Sequence, residues 1–223
     1  MEIGVLGATG PAGKGLAARL ASVGHDVVAG SRDAVRSSKT VASLRERWGD
    51  RVAKLRPGSN DDAAAAREVV IVATTWEAAI TTAEAHADAL AGKVVVSMAN
   101  GLERTGDEFR AVLPAEGSLA EGVQAAAPDA LVVAAFQHVP AAAFAALDRP
   151  LVSDVIVCGD EARACQTVLR LVADMPHLHG FDGGSLANAL GIEAFAAVLL
   201  TVNVRHHAKA TLQLSGIDDQ PHR

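Results

Sequence analysis

The 223-residue sequence contains no tyrosine, and aromatic residues make up only 3% of the chain. Any catalytic mechanism that uses a tyrosine as its proton donor is therefore excluded. Because aromatic side chains are so few, leucine, valine, isoleucine and alanine must fill the core. The hydrophobic content of 50% is enough for one well-buried core in a chain of this length.

Cysteine and positive charge are also scarce. Only Cys158 and Cys165 are present, which is too few for a disulfide framework and is consistent with a reducing cytoplasm. The formal net charge of -6 opposes attraction to nucleic acids and anionic membranes. We therefore expect a cytoplasmic protein that binds small molecules, with no nucleic-acid or membrane partner.

Long apolar runs are missing as well. The most apolar stretch, residues 194–204, is shorter than the roughly 20 residues that a membrane span requires. It is followed by Arg205, His206 and His207, and we interpret it as a buried helix. No positively charged leader precedes a long apolar stretch near the N-terminus, so secretion is not expected.

Short apolar runs alternate with longer helical patterns along most of the chain. This alternation predicts a Rossmann-type α/β fold, a doubly wound and mostly parallel sheet with a small C-terminal helical segment. Strands are predicted at residues 2–6, 26–29, 52–55, 69–74, 93–97, 131–136 and 154–158. Helices are predicted at residues 11–23, 34–48, 76–90, 119–127 with Ser118 as its cap, and 161–173, and an Ala-rich helix is predicted to open at Asn60.

The alternation changes after Cys158. A loop is predicted around His177 and His179, and a long helix is predicted from Ser185. We place a boundary near Gly183, which divides the chain into a Rossmann-type domain (1–182) and a C-terminal helical segment (183–223). The Ala- and Leu-rich face of the long helix predicts either a homodimer contact or packing into an internal groove.

A glycine-rich turn joins the first predicted strand to the first predicted helix, with Gly7, Gly10 and Gly13 in a GxxGxxG spacing. Gly7 permits the tight turn, Gly10 lets the backbone approach a pyrophosphate, and Gly13 permits close packing of helix on strand. The N–H groups at the positive end of the helix would then face the phosphates. The flanking strand and helix favour a dinucleotide-binding turn over a loop that only reverses the chain.

The end of the second predicted strand bears on the choice of dinucleotide. A carboxylate about 20 residues beyond the glycines would bind the ribose 2′-OH of NAD, but Gly30 stands there. Ser31 and Arg32 follow, and a hydroxyl with a guanidinium suits the 2′-phosphate of NADP. Arg36 and Lys39 could add further positive charge. The sequence favours NADP(H), although Asp33 leaves NAD open and Arg32 could instead be a solvated surface residue.

Several blocks of the sequence, in the same order along nearly the whole chain, resemble the NADPH-dependent reductases of coenzyme F420. The blocks are GATGPAGKGLAARLASVGHDVVAGSR from residue 7, TTWEAAI from 74, VVVS from 94, HVPA from 138, DVIVCGD from 154 and GSLAN from 184. The family often has LHTIP where this chain has FQHVP, so Gln137 takes the histidine position and His138 the threonine position.

The resemblance implies hydride transfer between NADP(H) and the deazaflavin coenzyme F420, with positioning residues and no catalytic side chain. The implied NADP-binding residues near the glycine turn are Gly7, Thr9, Gly10, Pro11, Ala12, Gly13, Ser31, Arg32 and Arg36. Further implied cofactor-binding residues, at the ends of later strands, are Thr74, Thr75, Trp76, Ser97, Met98, Ala99, Asn100, Gln137, His138, Val139 and Pro140. The helix from Ser185 is expected to close the other side of the deazaflavin site.

Two other functions fit the same residues. One is an NADPH-dependent reductase of an imine, a quinone or a metal complex, and the other is a non-catalytic NADP-sensing protein. Trp76 can be a partner for a planar ring or only a hydrophobic contact of its helix. The histidines at 177, 179, 206 and 207 lack cysteine or carboxylate partners at ligand spacing, so no metal site is predicted.

Overall fold

The computed structural model describes residues 1–115 and 117–217. Its strands are β1 (Glu2–Leu6), β2 (Asp26–Ser31), β3 (Leu55–Ser59), β4 (Val69–Val72), β5 (Val94–Ser97), β6 (Leu102–Thr105), β7 (Glu108–Ala111), β8 (Leu131–Ala134), β9 (Ser153–Gly159) and β10 (Leu178–Asp182). Its α-helices are α1 (Pro11–Ser22), α2 (Ala34–Trp48), α3 (Asn60–Ala64), α4 (Trp76–Ala85), α5 (Ala87–Leu90), α6 (Leu119–Ala126), α7 (Ala141–Phe144), α8 (Ala162–Ala173) and α9 (Ala189–Arg205).

Eight strands form one sheet in the order β10-β9-β8-β5-β4-β1-β2-β3. The strands from β3 to β8 in this order pair in parallel, whereas β9 pairs antiparallel with β8 and parallel with β10. The chain winds outward from β1 in both directions, so a switch point lies between β1 and β4, where ligands bind at the carboxyl ends of strands. The predicted doubly wound, mostly parallel Rossmann-type fold is confirmed.

The central strands are buried on both faces, as expected for a parallel sheet covered by helices on each side. In β4, Val69 and Ile71 join the hydrophobic cluster on one face, while Val70 and Val72 join the cluster on the other. The α1 helix packs closely because small residues face the sheet. The core thus has few aromatic residues and is filled by β-branched residues of the strands and by alanines of the helices.

Two predicted elements are wrong in position. Residues 49–52 form a 3₁₀ turn that buries Val52, and the strand predicted at 52–55 begins only at Leu55. The α3 helix does begin at Asn60, as predicted, and its cap is Ser59, because the Ser59 hydroxyl accepts the Asp62 N–H and the Asp62 carboxylate accepts the Ser59 N–H. The helix predicted at 76–90 is interrupted at His86.

Two strand regions were not predicted. The β6–β7 hairpin is mostly exposed and charged, so its sequence lacks an apolar alternation. The loop predicted around His179 is wrong, since β10 pairs there with β9 in register from Leu178 to Asp182. β10 ends where the boundary after residue 182 was placed, and the division into two domains stays a prediction.

The α9 helix is not the buried helix that its composition predicts. Val198 is 57% exposed, and Phe195 and Val202 are also exposed, because only one side of α9 packs on the sheet domain. By length and composition alone, the helical stretch Leu186–Arg205 could cross a membrane, with 28% of its most apolar window buried. A core helix passes the same test, so this observation is weak evidence for a membrane span. The predicted homodimer stays a prediction.

Candidate functional site

Two clefts lie along the edge of the sheet formed by the carboxyl ends of its parallel strands. The glycine-turn cleft contains about 930 Å³ of free space, and the α9 cleft contains about 530 Å³. The glycine-turn cleft is lined by Gly7, Thr9, Gly10, Ser31, Arg32, Asp33, Arg36, Asn60, Ala73, Thr74, Thr75, Ala78 and Thr82. The α9 cleft is lined by Ala12, Met98, Asn100, Phe136, Gln137, His138, Val139, Pro140, Ala141, Ala196, Leu199, Leu200 and Asn203.

The glycine turn between β1 and α1 lies between the two clefts, since Gly10 lines one and Ala12 the other. Gly7 has φ +76°, and a Cβ there would come within 2.9 Å of the Thr74 methyl group, so a side chain is excluded at this position. The α1 helix begins after Gly10, with no capping side chain and no acidic residue in its first turn. Its positive end is therefore available to an anion.

The end of β2 has no acidic side chain that could bind a ribose hydroxyl. A Cβ at Gly30 would lie 2.7 Å from the Ala63 methyl carbon and 2.9 Å from the Val5 carbonyl oxygen, so the fold itself excludes a carboxylate at this position. The Asp33 carboxylate instead caps α2 by accepting the N–H groups of Val35 (2.8 Å) and Arg36 (3.2 Å). The structure therefore weakens the NAD alternative that Asp33 had left open.

Two guanidinium groups lie beside this capped helix end. Arg32 and Arg36 are exposed, line the cleft, and form no ion pair within residues 1–115 and 117–217. Guanidinium groups bind phosphate oxygens through paired N–H donors. The cleft therefore joins an uncapped helix N-terminus to two positive side chains, as a dinucleotide phosphate requires.

Asn60 is a cleft residue that the sequence reasoning did not assign to the site. It is more than nine-tenths buried at the end of β3, and its Oδ1 accepts the Gly7 N–H at 3.3 Å. Asn60 thus holds the first glycine of the turn in place. The Thr74 hydroxyl, across the switch point after β4, is buried without a hydrogen-bond partner among residues 1–115 and 117–217. The signal that could have revealed Asn60 is its place after a strand, at the edge where ligands bind.

Three polar side chains of the α9 cleft are oriented by the backbone. Asn100 Nδ2 donates to the Gln137 carbonyl oxygen at 2.8 Å, Gln137 Nε2 donates to the Ser97 carbonyl oxygen at 3.0 Å, and His138 Nε2 lies 2.7 Å from the Asp154 carbonyl oxygen. Asn100 Oδ1, Gln137 Oε1 and His138 Nδ1 are buried without a partner in the described part of the chain. Each backbone contact uses the donor, so the atom left unpaired on each of these three cleft-lining residues is an acceptor, and each such atom is shielded from solvent.

The surroundings of these acceptors are apolar and rigid. Phe136 has φ +73°, a strained value for a bulky residue, and is held by an edge-to-face contact with Phe144 at 5.9 Å between ring centroids. Arg19 of α1 donates to the carbonyl oxygens of Ala143, Phe144 and Ala146 at the end of α7. The α7 helix, which follows the loop at Phe136, is thereby held against α1, the helix that begins at the glycine turn.

The protonation of His138 follows from its contacts. A carbonyl oxygen can only accept, so Nε2 carries the proton that bonds the Asp154 carbonyl, and Nδ1 keeps its lone pair. Burial lowers the pKa of His138 from its ordinary value of 6.5, and this outweighs the opposing effects of the bond to Asp154 and of the Asp154 charge. The imidazole is therefore neutral and a hydrogen-bond acceptor near neutral pH.

We expect the ¹⁵N NMR spectrum of histidine-labelled protein to show His138 as the neutral Nε2–H tautomer from pH 6.5 to 8. The folded-state pKa is lowered, so the unfolded chain binds the proton first. The contribution of His138 to the free energy of unfolding is therefore complete above pH 6.5 and declines as the pH falls below that value. A His138→Asn variant identifies the resonances, and a titration midpoint above 6.5 would contradict the assignment.

Most of the predicted site residues meet at the two clefts, but five do not line either one. These are Pro11, Gly13, Trp76, Ser97 and Ala99. Trp76 packs against a hydrophobic cluster at the start of α4, which matches its interpretation as a hydrophobic contact of the helix. Ser97 contributes its carbonyl oxygen, which accepts a hydrogen bond from Nε2 of the cleft residue Gln137. No group of three or more His, Cys, Asp or Glu side chains with metal-binding geometry occurs among the described residues.

Comparison with known proteins agrees with this geometry. Residues 2–101 match the family model of the coenzyme F420-dependent NADP oxidoreductases. The F420-dependent NADP reductase of Methanocaldococcus jannaschii is 34% identical over 215 residues, which cover 95% of this chain and 96% of the relative. The reductase of the same name from Methanothermobacter marburgensis is 31% identical over 94% of this chain and 95% of the relative.

A solved structure leads to the same family. A protein from Arthrobacter sp. FB24, assigned as an F420-dependent NADP reductase, superposes with a TM-score of 0.82 and 28% identity. The match covers 96% of this chain and 99% of that protein. The relatives span the whole architecture, from the glycine turn to α9, and not the nucleotide-binding half alone. This chain therefore belongs to the family of F420-dependent NADP reductases.

Proposed function

We propose that this protein is an oxidoreductase that transfers a hydride between NADP(H) and the deazaflavin coenzyme F420. The observation that carries the proposal is the pair of clefts at one sheet edge. The glycine-turn cleft has an uncapped helix N-terminus and two guanidinium groups, whereas the α9 cleft has no charged side chain in its lining. An anionic dinucleotide fits the glycine-turn cleft, and an uncharged ring system fits the α9 cleft. The names of the relatives include both coenzymes.

The glycine-turn cleft fits the phosphates of NADP(H). The positive end of α1 and its backbone N–H groups would hold the pyrophosphate, since a Cβ at Gly10 would meet only the Gly7 carbonyl oxygen at 3.5 Å and the remaining space is open. Arg32 and Arg36 would hold the 2′-phosphate, with Ser31 as a hydroxyl donor. Thr74, whose hydroxyl lacks a partner, would face the same molecule across the switch point.

The α9 cleft fits two ring systems that carry N–H donors. The unpaired acceptors of Asn100, Gln137 and His138 suit the carboxamide of nicotinamide and the ring N–H of a deazaflavin. When bound, the two coenzymes supply the hydride donor and the hydride acceptor. The protein then has to align the rings and exclude water, which Phe136 and Val139 do together with the α9 side chains. Hydride transfer requires no protein nucleophile, and the described residues that line this cleft include no serine, threonine, cysteine or lysine.

The test is to mix the protein with NADPH and oxidised coenzyme F420 and to follow the visible absorbance of the deazaflavin. Bleaching that depends on protein and on NADPH is the expected result. The imine or quinone reductase function is favoured instead if NADPH is oxidised only when such an acceptor is present. NADPH binding without turnover of any acceptor would favour the sensor. The cleft's acceptor atoms also suit an N–H-bearing imine, which makes imines the first alternative acceptors to test.

A further inference from the structure

The α9 helix forms one side of the α9 cleft through Ala196, Leu199, Leu200 and Asn203. Its 17 residues include only two charged side chains, Glu193 and Arg205. Arg205 is exposed at the end of the helix, but Glu193 is only 4% exposed and lies on the face that packs against the sheet domain. A single acidic side chain is thus buried in the contact between α9 and the rest of the fold, which also includes the Thr201 hydroxyl, an acceptor of the Phe109 N–H at 2.9 Å.

The carboxylate of Glu193 spans the start of α6. Oε2 accepts the Leu119 N–H at 2.8 Å, and Oε1 accepts the Ala120 N–H at 3.1 Å. These are the first two N–H groups of α6, which its own residues cannot satisfy. The Glu121 N–H is satisfied by the cap of α6 itself, because the Ser118 hydroxyl accepts it at 3.1 Å. The Glu121 carboxylate in turn accepts the Ser118 N–H at 2.9 Å. Glu193 therefore completes the cap of α6 from a different part of the chain.

Burying this carboxylate is costly. Burial raises the pKa of Glu193 to about 7, with a smaller contribution from the nearby Glu121 charge, although the two backbone N–H donors oppose the increase. A buried acid that is harder to ionise than in water is a poor source of stability. Its paired bonds are directional, however, whereas the alanine and leucine contacts around it are not.

The spacing along α9 connects Glu193 to the cleft. Ala196 and Leu200 follow Glu193 by three and seven residues, so all three lie on one face of the helix. A shift or rotation of α9 would change the position of Ala196 and Leu200, and it would also break the two bonds to α6. Small alanine side chains at 196 and 197 offer little steric resistance to such a movement.

We infer that Glu193 is a positioning residue, which sets the register of α9 against α6 and thereby the shape of the α9 cleft on the deazaflavin side. The inference rests on the proposed function for the identity of the coenzyme. Glu193 does not line the cleft and touches no reacting atom. Glu193 acts on the cleft indirectly, because it fixes the position of the α9 residues that line the cleft.

Glu193→Gln tests the inference because it keeps the size of the side chain and one oxygen acceptor. The amide nitrogen then faces a backbone N–H, donor against donor. We expect the KM for coenzyme F420 to rise by about tenfold, the size of effect that follows from one lost bond to a buried charged group. The Kd for NADPH should change by less than about twofold, since the dinucleotide phosphates are proposed to bind in the glycine-turn cleft, which is not touched. Amide hydrogen exchange in α9 should become faster.

Glu121→Gln is the matched control. It weakens the cap of the same helix, and the Glu121 carboxylate bonds Ser118 and forms no hydrogen bond to α9 among the described residues, although its charge contributes a little to the raised pKa of Glu193. We expect its KM for coenzyme F420 and its α9 exchange to match the unsubstituted protein. Equal effects of the two variants, or no change of α9 exchange in Glu193→Gln, would overturn the inference.

The exchange measurement separates this inference from the proposed function. If the unsubstituted protein does not reduce coenzyme F420, the proposed function fails, but faster α9 exchange in Glu193→Gln alone still supports the role of Glu193. If Glu193→Gln does not fold, Glu193→Met places an apolar chain of similar length in the buried position. Wild-type KM and wild-type α9 exchange in that variant would refute the positioning role.

Discussion

Replacing Arg32 by alanine is expected to weaken NADPH binding by roughly ten- to a hundredfold while changing NADH binding by less than about twofold. The reason is that the 2′-phosphate distinguishes the two dinucleotides, and Arg32 follows the last residue of β2 with no ion pair of its own in the described residues. A charge-assisted bond to phosphate is then lost, whereas NADH has no group at that position. Equilibrium titration of both dinucleotides measures the two Kd values.

Lys39→Ala provides the control for net charge. Lys39 lies on the same helix, α2, and does not line the glycine-turn cleft, so its removal changes the charge by the same amount without removing a cleft contact. Arg36→Ala should show the same preference as Arg32→Ala. Equal losses of affinity for NADPH and NADH in Arg32→Ala would show that Arg32 does not bind the 2′-phosphate.

Gly10→Ala is expected to weaken NADPH binding by more than roughly a hundredfold and leave the free energy of unfolding within about 1 kcal/mol of its original value. Gly10 has φ -74° and ψ 160°, which any residue adopts, and an added Cβ would meet only the Gly7 carbonyl oxygen at an ordinary contact distance of 3.5 Å. The protein alone therefore tolerates the methyl group. The pyrophosphate does not, because the methyl group occupies the space in which it meets the N–H groups of α1.

Gly191→Ala is a matched control, in which a Cβ would meet no atom within 4 Å. It lies inside α9, where alanine should raise the stability by about 0.5–1 kcal/mol and leave NADPH binding unchanged. Denaturant unfolding and NADPH titration on both variants check the pair. Wild-type NADPH affinity in Gly10→Ala would show that the pyrophosphate does not approach this turn.

Sequence periodicity predicts a helix or strand correctly where its apolar residues follow a single period along the whole element. The apolar runs of β1 and β4 lie in the parallel core, and α2 has the predicted bounds. The β6–β7 hairpin could not be predicted in this way, because its residues are mostly exposed and carry no apolar alternation. The region of β10 was predicted as a loop because histidines and glycines make up most of residues 177–184, although pairing with β9 decides its conformation.

The candidate site was predictable where residues follow a strand directly. The glycine turn, Arg32 and the loop at Gln137 and His138 meet this condition, and their assignment to cofactor binding stays a prediction. The site's long-range contacts could not be read from the sequence. The bond of Asn60 to Gly7 spans 53 residues, and that of Glu193 to Leu119 spans 74. No local pattern carries such information.

The antiparallel course of β9 places its amino end beside His138. There Asp154 accepts from the imidazole through its carbonyl oxygen, donates its N–H to the Leu212 carbonyl oxygen, and accepts the Leu214 N–H through its carboxylate. The glycine-turn cleft is lined entirely by residues between 7 and 82, whereas the lining of the α9 cleft extends to Asn203 of α9. During synthesis from the N-terminus, the nucleotide half can thus form early, and the half for the second ring is completed only when the last tenth of the chain has emerged.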